Sequence, residues 1–196
     1  STMNYTARRT IRSLSELCAP ESHSIDEVYL SEELREVPRE LYTRARNVRI
    51  LDLSNNKLTT LPDWFAELTS LEIVFLSFNA FTEVPEILGR LPKLRMIGMR
   101  NNQIAHFSER SLPQSLAWLT LTNNFLEILP PEIGRLPRMQ KLLLAGNQLH
   151  SLPDSLAGSR TVELLRLSAN QFESFPQWLW ELPALAWIAL AGNPCS

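Results

Sequence analysis

A motif that returns every 23 residues constrains this chain more than any other property. In the stretch Leu116 to Arg138, LAWLTLTNNFLEILPPEIGRLPR, Leu116, Leu119, Leu121, Asn124 and Leu126 sit at offsets 0, 3, 5, 8 and 10, and Leu129-Pro130 follows at 13 and 14. The frame recurs from Val48, Leu71, Leu94, Met139, Val162 and Leu185, each step being 23 residues except the 22 between Leu94 and Leu116. A fixed period of this length means that similar units are stacked, and it outranks local propensity as a guide to architecture.

Apolar residues at offsets 0, 3 and 5 cannot share one helix face. Offsets 3 and 5 suit a short strand, in which alternate side chains point the same way. One strand per coil, all in one direction, stacks into a parallel sheet, and each coil buries its apolar edge only against the next. The spacing therefore predicts an α/β repeat solenoid: an arc with a parallel β-sheet on the concave face and short 3₁₀ or α turns on the convex face. The Leu-Pro step (Leu61-Pro62, Val84-Pro85, Leu129-Pro130, Leu152-Pro153, Phe175-Pro176) opens those turns, because proline fixes φ and has no N–H to leave unpaired. Asn56, Asn79, Asn102, Asn124, Asn147, Asn170 and Asn193 all fall at offset 8, where the chain leaves the strand. A carboxamide both donates and accepts, so this column is expected to be a structural ladder that satisfies buried backbone groups.

Taken in order, residues 1–24 divide into an expression remnant (Ser1-Thr2 ahead of Met3) and a capping helix over Thr10–Cys18, where Ile11, Leu14, Leu17 and Cys18 have helical spacing. Residues 25–196 form the repeat domain, about eight coils starting at 25, 48, 71, 94, 116, 139, 162 and 185, the first degenerate and without its Asn. The coil from Leu94 has Phe107-Ser108 in place of Leu-Pro and is one residue short, so its convex segment should be irregular. The last coil stops at Ser196 without a polar cap, and we expect the native chain to continue.

The net charge is −2 and the isoelectric point about 6.0, which favours neither nucleic acid nor an anionic membrane. No apolar run reaches transmembrane length, and MNYTARRTIRSLSELC lacks the apolar core of a secretory signal. Cys18 and Cys195 stand near opposite ends, separated by roughly 30 Å or more of stacked strands, too far for a disulfide; a cytoplasmic location is expected. His23, His106 and His150 share no repeat offset, so no metal site is expected. There is no HExxH, CxxC, GxSxG or glycine-rich phosphate loop, and no cofactor or catalytic residue is assigned. Asp63, Glu86, Glu132 and Asp154, beside the prolines, read as acids at helix starts.

The outward offsets of the strands are more informative. Offset 1 begins Asp26, Arg49, Glu72, Arg95, an alternation that suits a cross-strand ion-pair ladder. Offset 2 reads Glu27, Ile50, Ile73, Met96, Trp118, Lys141, Leu164, Trp187; offset 4 adds Tyr29, Phe75 and Leu143, and offset 7 adds Phe78. Lateral packing along the sheet explains such residues without a partner, but together they exceed the usual scatter of exposed apolar side chains. We therefore take Ile73, Phe75, Phe78, Met96, Trp118, Leu143, Leu164 and Trp187, rimmed by Arg100 and Arg166, as the candidate partner-binding surface. Trp64, Trp178 and Trp180 on the convex side are a second candidate.

The pattern LxxLxLxxNxL resembles the leucine-rich repeat in its 23-residue, LP-type form. LRMIGMRNNQI, LAWLTLTNN, MQKLLLAGNQL, VELLRLSANQFESFP and LAWIALAGNPCS are most similar to the repeat module of bacterial leucine-rich-repeat protein kinases. The resemblance implies that the concave face meets a protein partner while a C-terminal kinase, none of whose motifs is in this chain, transfers phosphate. The expected function is protein binding, as the recruitment or regulatory arm of a larger protein. The alternative is a self-associating scaffold, as a homodimer, or a stand-alone adaptor.

Overall fold

The structure, a computed structural model, describes residues 8–20 and 24–195; Ser1-Thr2, Met3 and His23 fall outside them. Among the described residues, nine parallel strands form one sheet in chain order, β1 (Arg8–Ile11), β2 (Ser24–Tyr29), β3 (Ile50–Asp52), β4 (Ile73–Phe75), β5 (Met96–Gly98), β6 (Trp118–Thr120), β7 (Lys141–Leu143), β8 (Leu164–Arg166) and β9 (Trp187–Ala189). The sheet is not closed, and the chain is the solenoid that its period implies.

From β2 onward the strands pair without a slip, so residues at the same offset are neighbours: Ile73 pairs with Met96, Met96 with Trp118, Trp118 with Lys141, Lys141 with Leu164 and Leu164 with Trp187. Burial enforces this register, since one residue of slip would turn every apolar side chain to the other face, and the 22-residue coil keeps it because its missing residue falls outside the strands. Offsets 0, 3 and 5 are buried from Val48 to Leu167 and form the interior between sheet and convex layer. In the last coil Leu185, Ile188 and Leu190 are only half-buried, because a coil lies on one side of them alone.

The convex layer is made of single turns. The first is α-helical, α2 (Glu40–Arg44), and the later ones are 3₁₀, at Asp63–Glu67, Glu86–Arg90, Glu109–Ser111, Pro131–Arg135, Asp154–Gly158 and Gln177–Glu181. Each of the five-residue 3₁₀ turns has a proline at its N-cap and buries one apolar side chain: Phe65, Leu88, Ile133, Leu156 or Leu179. The coil that lacks Leu-Pro has the shortest turn, three residues, with Ser108 as N-cap and Ser111 buried against it. The backbone of Arg110 lies against Gly89 in the coil before, so closely that a β-carbon at position 89 would run into the Arg110 carbonyl oxygen; Gly134 meets the backbone of Ser155 and Leu156 in the same way.

The N-terminus departs from the sequence expectation. The helix expected over Thr10–Cys18 is confined to α1 (Leu14–Cys18), capped by the Ser13 hydroxyl, which accepts from the N–H of Glu16 at 3.1 Å. Thr10 and Ile11 instead belong to β1, which pairs with β2 through a bulge between Arg9 and Thr10 and buries Ile11 completely. An open sheet edge offers a row of unpaired backbone groups, and satisfying them outweighs a helical spacing that only one or two turns support.

The asparagine column does what its chemistry predicts. Asn147 donates through Nδ2 to the Leu121 carbonyl of the coil before it at 2.9 Å and to the Leu144 carbonyl of its own coil at 3.1 Å, while its Oδ1 accepts from the N–H of Leu126 at 3.0 Å. Asn79, Asn102, Asn124, Asn170 and Asn193 repeat this triad, and Asn56 does so with a second acceptance from Glu32. Removing one carboxamide strands three buried backbone groups, each costing about 1–3 kcal/mol when unsatisfied. Asn147→Ala should therefore lower the unfolding free energy by about 3 kcal/mol or more, measured by chemical denaturation. The half-buried Asn79 should cost less.

Candidate functional site

The outward side chains of β2–β9 lie on the concave surface in two rows set by strand alternation. One row runs Glu27, Ile50, Ile73, Met96, Trp118, Lys141, Leu164, Trp187; the other runs Tyr29, Asp52, Phe75, Gly98, Thr120, Leu143, Arg166, Ala189. Eight of the ten residues expected at the site, Ile73, Phe75, Met96, Trp118, Leu143, Leu164, Arg166 and Trp187, are thus on one surface. Phe78 and Arg100 stand apart, in the turn that follows the strands, where the guanidinium of Arg100 lies over the Phe78 ring at 5.0 Å.

These side chains cover one another more than their sequence positions suggest. Ile73, Phe75, Met96, Trp118, Leu143 and Leu164 are half-buried; of the expected apolar set only Phe78, at 42%, and Trp187, at 60%, are exposed. The reason is lateral contact. Phe75 lies across the strand position of Gly98, where a β-carbon would come within 2.7 Å of its Cδ1 atom, and Lys141 sets its ammonium 4.2 Å from the centre of the Trp118 ring. Beside Trp187, a shallow hollow of about 370 Å³ is lined by Leu164, Arg166, Ser168, Ile188 and Ala189.

Charge on this face divides along the solenoid. In the first coils Arg49 bridges Asp26 at 3.4 Å and Glu72 at 3.6 Å, and Arg95 meets Glu72 at 3.5 Å. The hydrogen bond that Arg49 donates to Asp26 raises the pKa of Arg49, although its Nε, buried and facing Glu72, is too far for a hydrogen bond. Burial pushes the Tyr29 phenol above its ordinary value, and the adjacent Glu27 adds to the effect. These interactions make the alternation at offset 1 a cross-strand ion-pair network.

Two surface residues escaped the sequence reading: Phe125 and Ile128 are 49% and 74% exposed, while Trp180, of the second candidate set, is 55% exposed. Offset 9 otherwise holds Lys57, Ala80, Gln103, Gln148, Gln171 and Pro194, and offset 12 holds Thr60, Glu83, His106, Ser151 and Ser174. Phe125 and Ile128 are the exceptions in their columns, a signal that comparison of the coils carries. On the convex side Trp64 packs 5.7 Å from Tyr42, and both Trp64 and Trp178 are half-buried against the interior. Among the described residues, no cluster of three or more His, Cys, Asp or Glu side chains could hold a metal ion, and no helix is long and apolar enough to cross a membrane.

The model of the leucine rich repeat family matches residues 30–81, 46–104, 114–172 and 137–194, together well over half of the chain. The chain belongs to the leucine-rich repeat family. It is similar to the flightless-1 homolog of Caenorhabditis elegans, 31% identical over 140 residues, which are 69% of this chain and 9% of that protein. It is also similar to podocan of Mus musculus, 26% identical over 173 residues, 83% of this chain and 27% of that one. The repeats thus span well under a third of the length of these relatives. Among solved structures, the Toll–Spatzle complex of Drosophila matches 87% of this chain and 24% of its own with a TM-score of 0.76 at 23% identity. A leucine-rich repeat protein of Leptospira interrogans matches 87% of this chain and 54% of its own at 0.64 and 25% identity. Leucine-rich repeat domains are non-catalytic modules that generally mediate protein–protein interaction.

Phe78 is the strained member of the surface. Offset 7 is left-handed in seven successive coils, Asn55, Phe78, Asn101, Asn123, Gly146, Ala169 and Gly192, with φ between 54° and 77°. Asparagine and glycine tolerate this region; a bulky aromatic pays about 1–2 kcal/mol, and an exposed cation–π contact returns about 0.5–1. Phe78→Asn should be at least as stable as the parent in a thermal melt. A clearly lower Tm would make the ring a structural element.

Proposed function

We propose that this chain is a protein-binding module that engages its partner on the concave face, between the coil of Ile73 and the coil of Trp187. The observation that carries the reading is the in-register column Ile73, Met96, Trp118, Lys141, Leu164, Trp187, a row of large side chains turned to solvent on a surface whose stability depends on the opposite side of the sheet. Aromatic and arginine anchors supply most interface energy, and here Trp118, Trp187, Phe78, Arg100 and Arg166 provide them. Phe78, kept in a backbone conformation that disfavours it, supports the same reading, since strain persists where function maintains it.

The likeness of the repeats to those of bacterial leucine-rich-repeat kinases supports a place as the recruitment or regulatory arm of a larger, kinase-containing signalling protein. Two free, exposed cysteines suit a reducing, cytoplasmic setting. An antibody to this domain should then detect a band of more than twice 22.4 kDa in the source cells; a band at that mass would make the repeats a stand-alone adaptor. Self-association through the exposed Trp187 and Trp180 is the second reading. Light scattering at tens of micromolar distinguishes it: a monomer is the expected result.

Once a partner is in hand, Trp187→Ala should weaken binding by roughly tenfold or more, the usual effect of truncating an interface anchor, while shifting Tm by less than about 2 °C, because the side chain is mostly in water. Equal losses of stability and affinity would return Trp187 to a packing role.

A further inference from the structure

The two halves of the concave face treat their charges differently. In the strand segments of the first three coils, Asp26, Glu27, Asp52 and Glu72 outnumber Arg49, which is ion-paired. From β5 to β9 the order reverses: Arg95, Arg100, Lys141 and Arg166 face a single carboxylate, Glu163. Arg95 is neutralised by Glu72 from the preceding coil. Among the described residues, Arg100, Lys141 and Arg166 have no carboxylate at ion-pair distance. Arg100 and Lys141 instead lie over aromatic rings, and Arg166 is exposed beside the hollow walled by Leu164 and Trp187.

Resting on the concave-face reading above, we propose that the bound part of the partner is an extended acidic peptide segment with an apolar or aromatic anchor, seated on β5–β9. The anchor enters the hollow between Leu164 and Trp187, and flanking carboxylates pair with Arg166, Lys141 and Arg100. The dimensions agree. Three coils separate Arg100 from Arg166, about 15 Å at the usual strand spacing, which four or five extended residues span. A guanidinium already held over a ring is preorganised for a carboxylate and loses little rotamer freedom on pairing. The acidic coils at the other end repel such a segment and so set its position. A nucleic acid fits less well: three cations offer few phosphate contacts, and its backbone would continue onto the acidic half.

The test is selection of peptides from a phage-displayed random dodecapeptide library on the 196-residue chain, followed by affinity measurements with a fluorescein-labelled selected peptide. The expected result is enrichment of sequences with two or more Asp or Glu beside Phe, Trp or Leu. Their binding should weaken as salt rises and fall roughly tenfold or more with Arg166→Glu, with recovery in Arg166→Lys and an unchanged melt. A control charge reversal on the convex face, Arg39→Glu, should have no effect. Selected peptides without acidic excess that are nevertheless lost with Trp187→Ala overturn the acidic partner and leave the concave face standing. Peptides indifferent to both substitutions overturn both, and absence of enrichment overturns the acidic segment. Equally tight, Arg166-dependent binding of oligothymidylate would overturn it in favour of nucleic acid. A dimer dissolved by Arg166→Glu would assign the surface to the acidic half of a second copy.

Discussion

The whole molecule depends on one carboxamide in each coil after the first. Strands of three residues are too short to hold a sheet by themselves, and the turn after each strand leaves the offset-5 carbonyls of two coils and one N–H to be satisfied away from water. The asparagine at offset 8 reaches all three, so it closes its own coil and fastens it to the one before. Because the bond crosses between coils, the stability of each unit is shared with its neighbour, as nearest-neighbour solenoids require. With the interior filled by offsets 0, 3 and 5, the outward offsets carry little of this burden.

That division explains where individuality enters. The concave face divides into two kinds of chemistry: an ion-pair network with carboxylates in excess over the first coils, and cations without a carboxylate partner over the later ones, two of them held on aromatic rings. Phe78 belongs to the second category, occupying a left-handed position for which its neighbours in the column use asparagine, alanine or glycine. The short turn at Glu109–Ser111 is a local compromise within the scaffold, and it packs against Gly89 of the adjoining coil.

The architecture was legible because a 23-residue period leaves few ways to bury the same positions repeatedly. The asparagine ladder was legible too, since its chemistry and spacing coincide seven times. Strand β1 was not: Ile11 has helical spacing with Leu14, Leu17 and Cys18, and only the unpaired edge of β2 draws Thr10 and Ile11 into the sheet. The extent of exposure was equally hidden, because strand alternation says which way Phe75 and Trp118 point but not that Phe75 leans over Gly98 or that Lys141 covers Trp118. Phe125 and Ile128 could have been found by comparing columns, since each interrupts a polar or small series.

By itself, then, the sequence determined the repeat frame, the direction and register of the strands, the Leu-Pro entry to the convex turns and the residues of the two outward rows. All of these follow from periodic burial and local backbone chemistry. Only the tertiary structure decided which outward residues remain accessible, which charges are already paired and where a hollow forms between Leu164 and Trp187. Those properties arise between coils, from side chains 22 or 23 residues apart that meet only when the solenoid is wound.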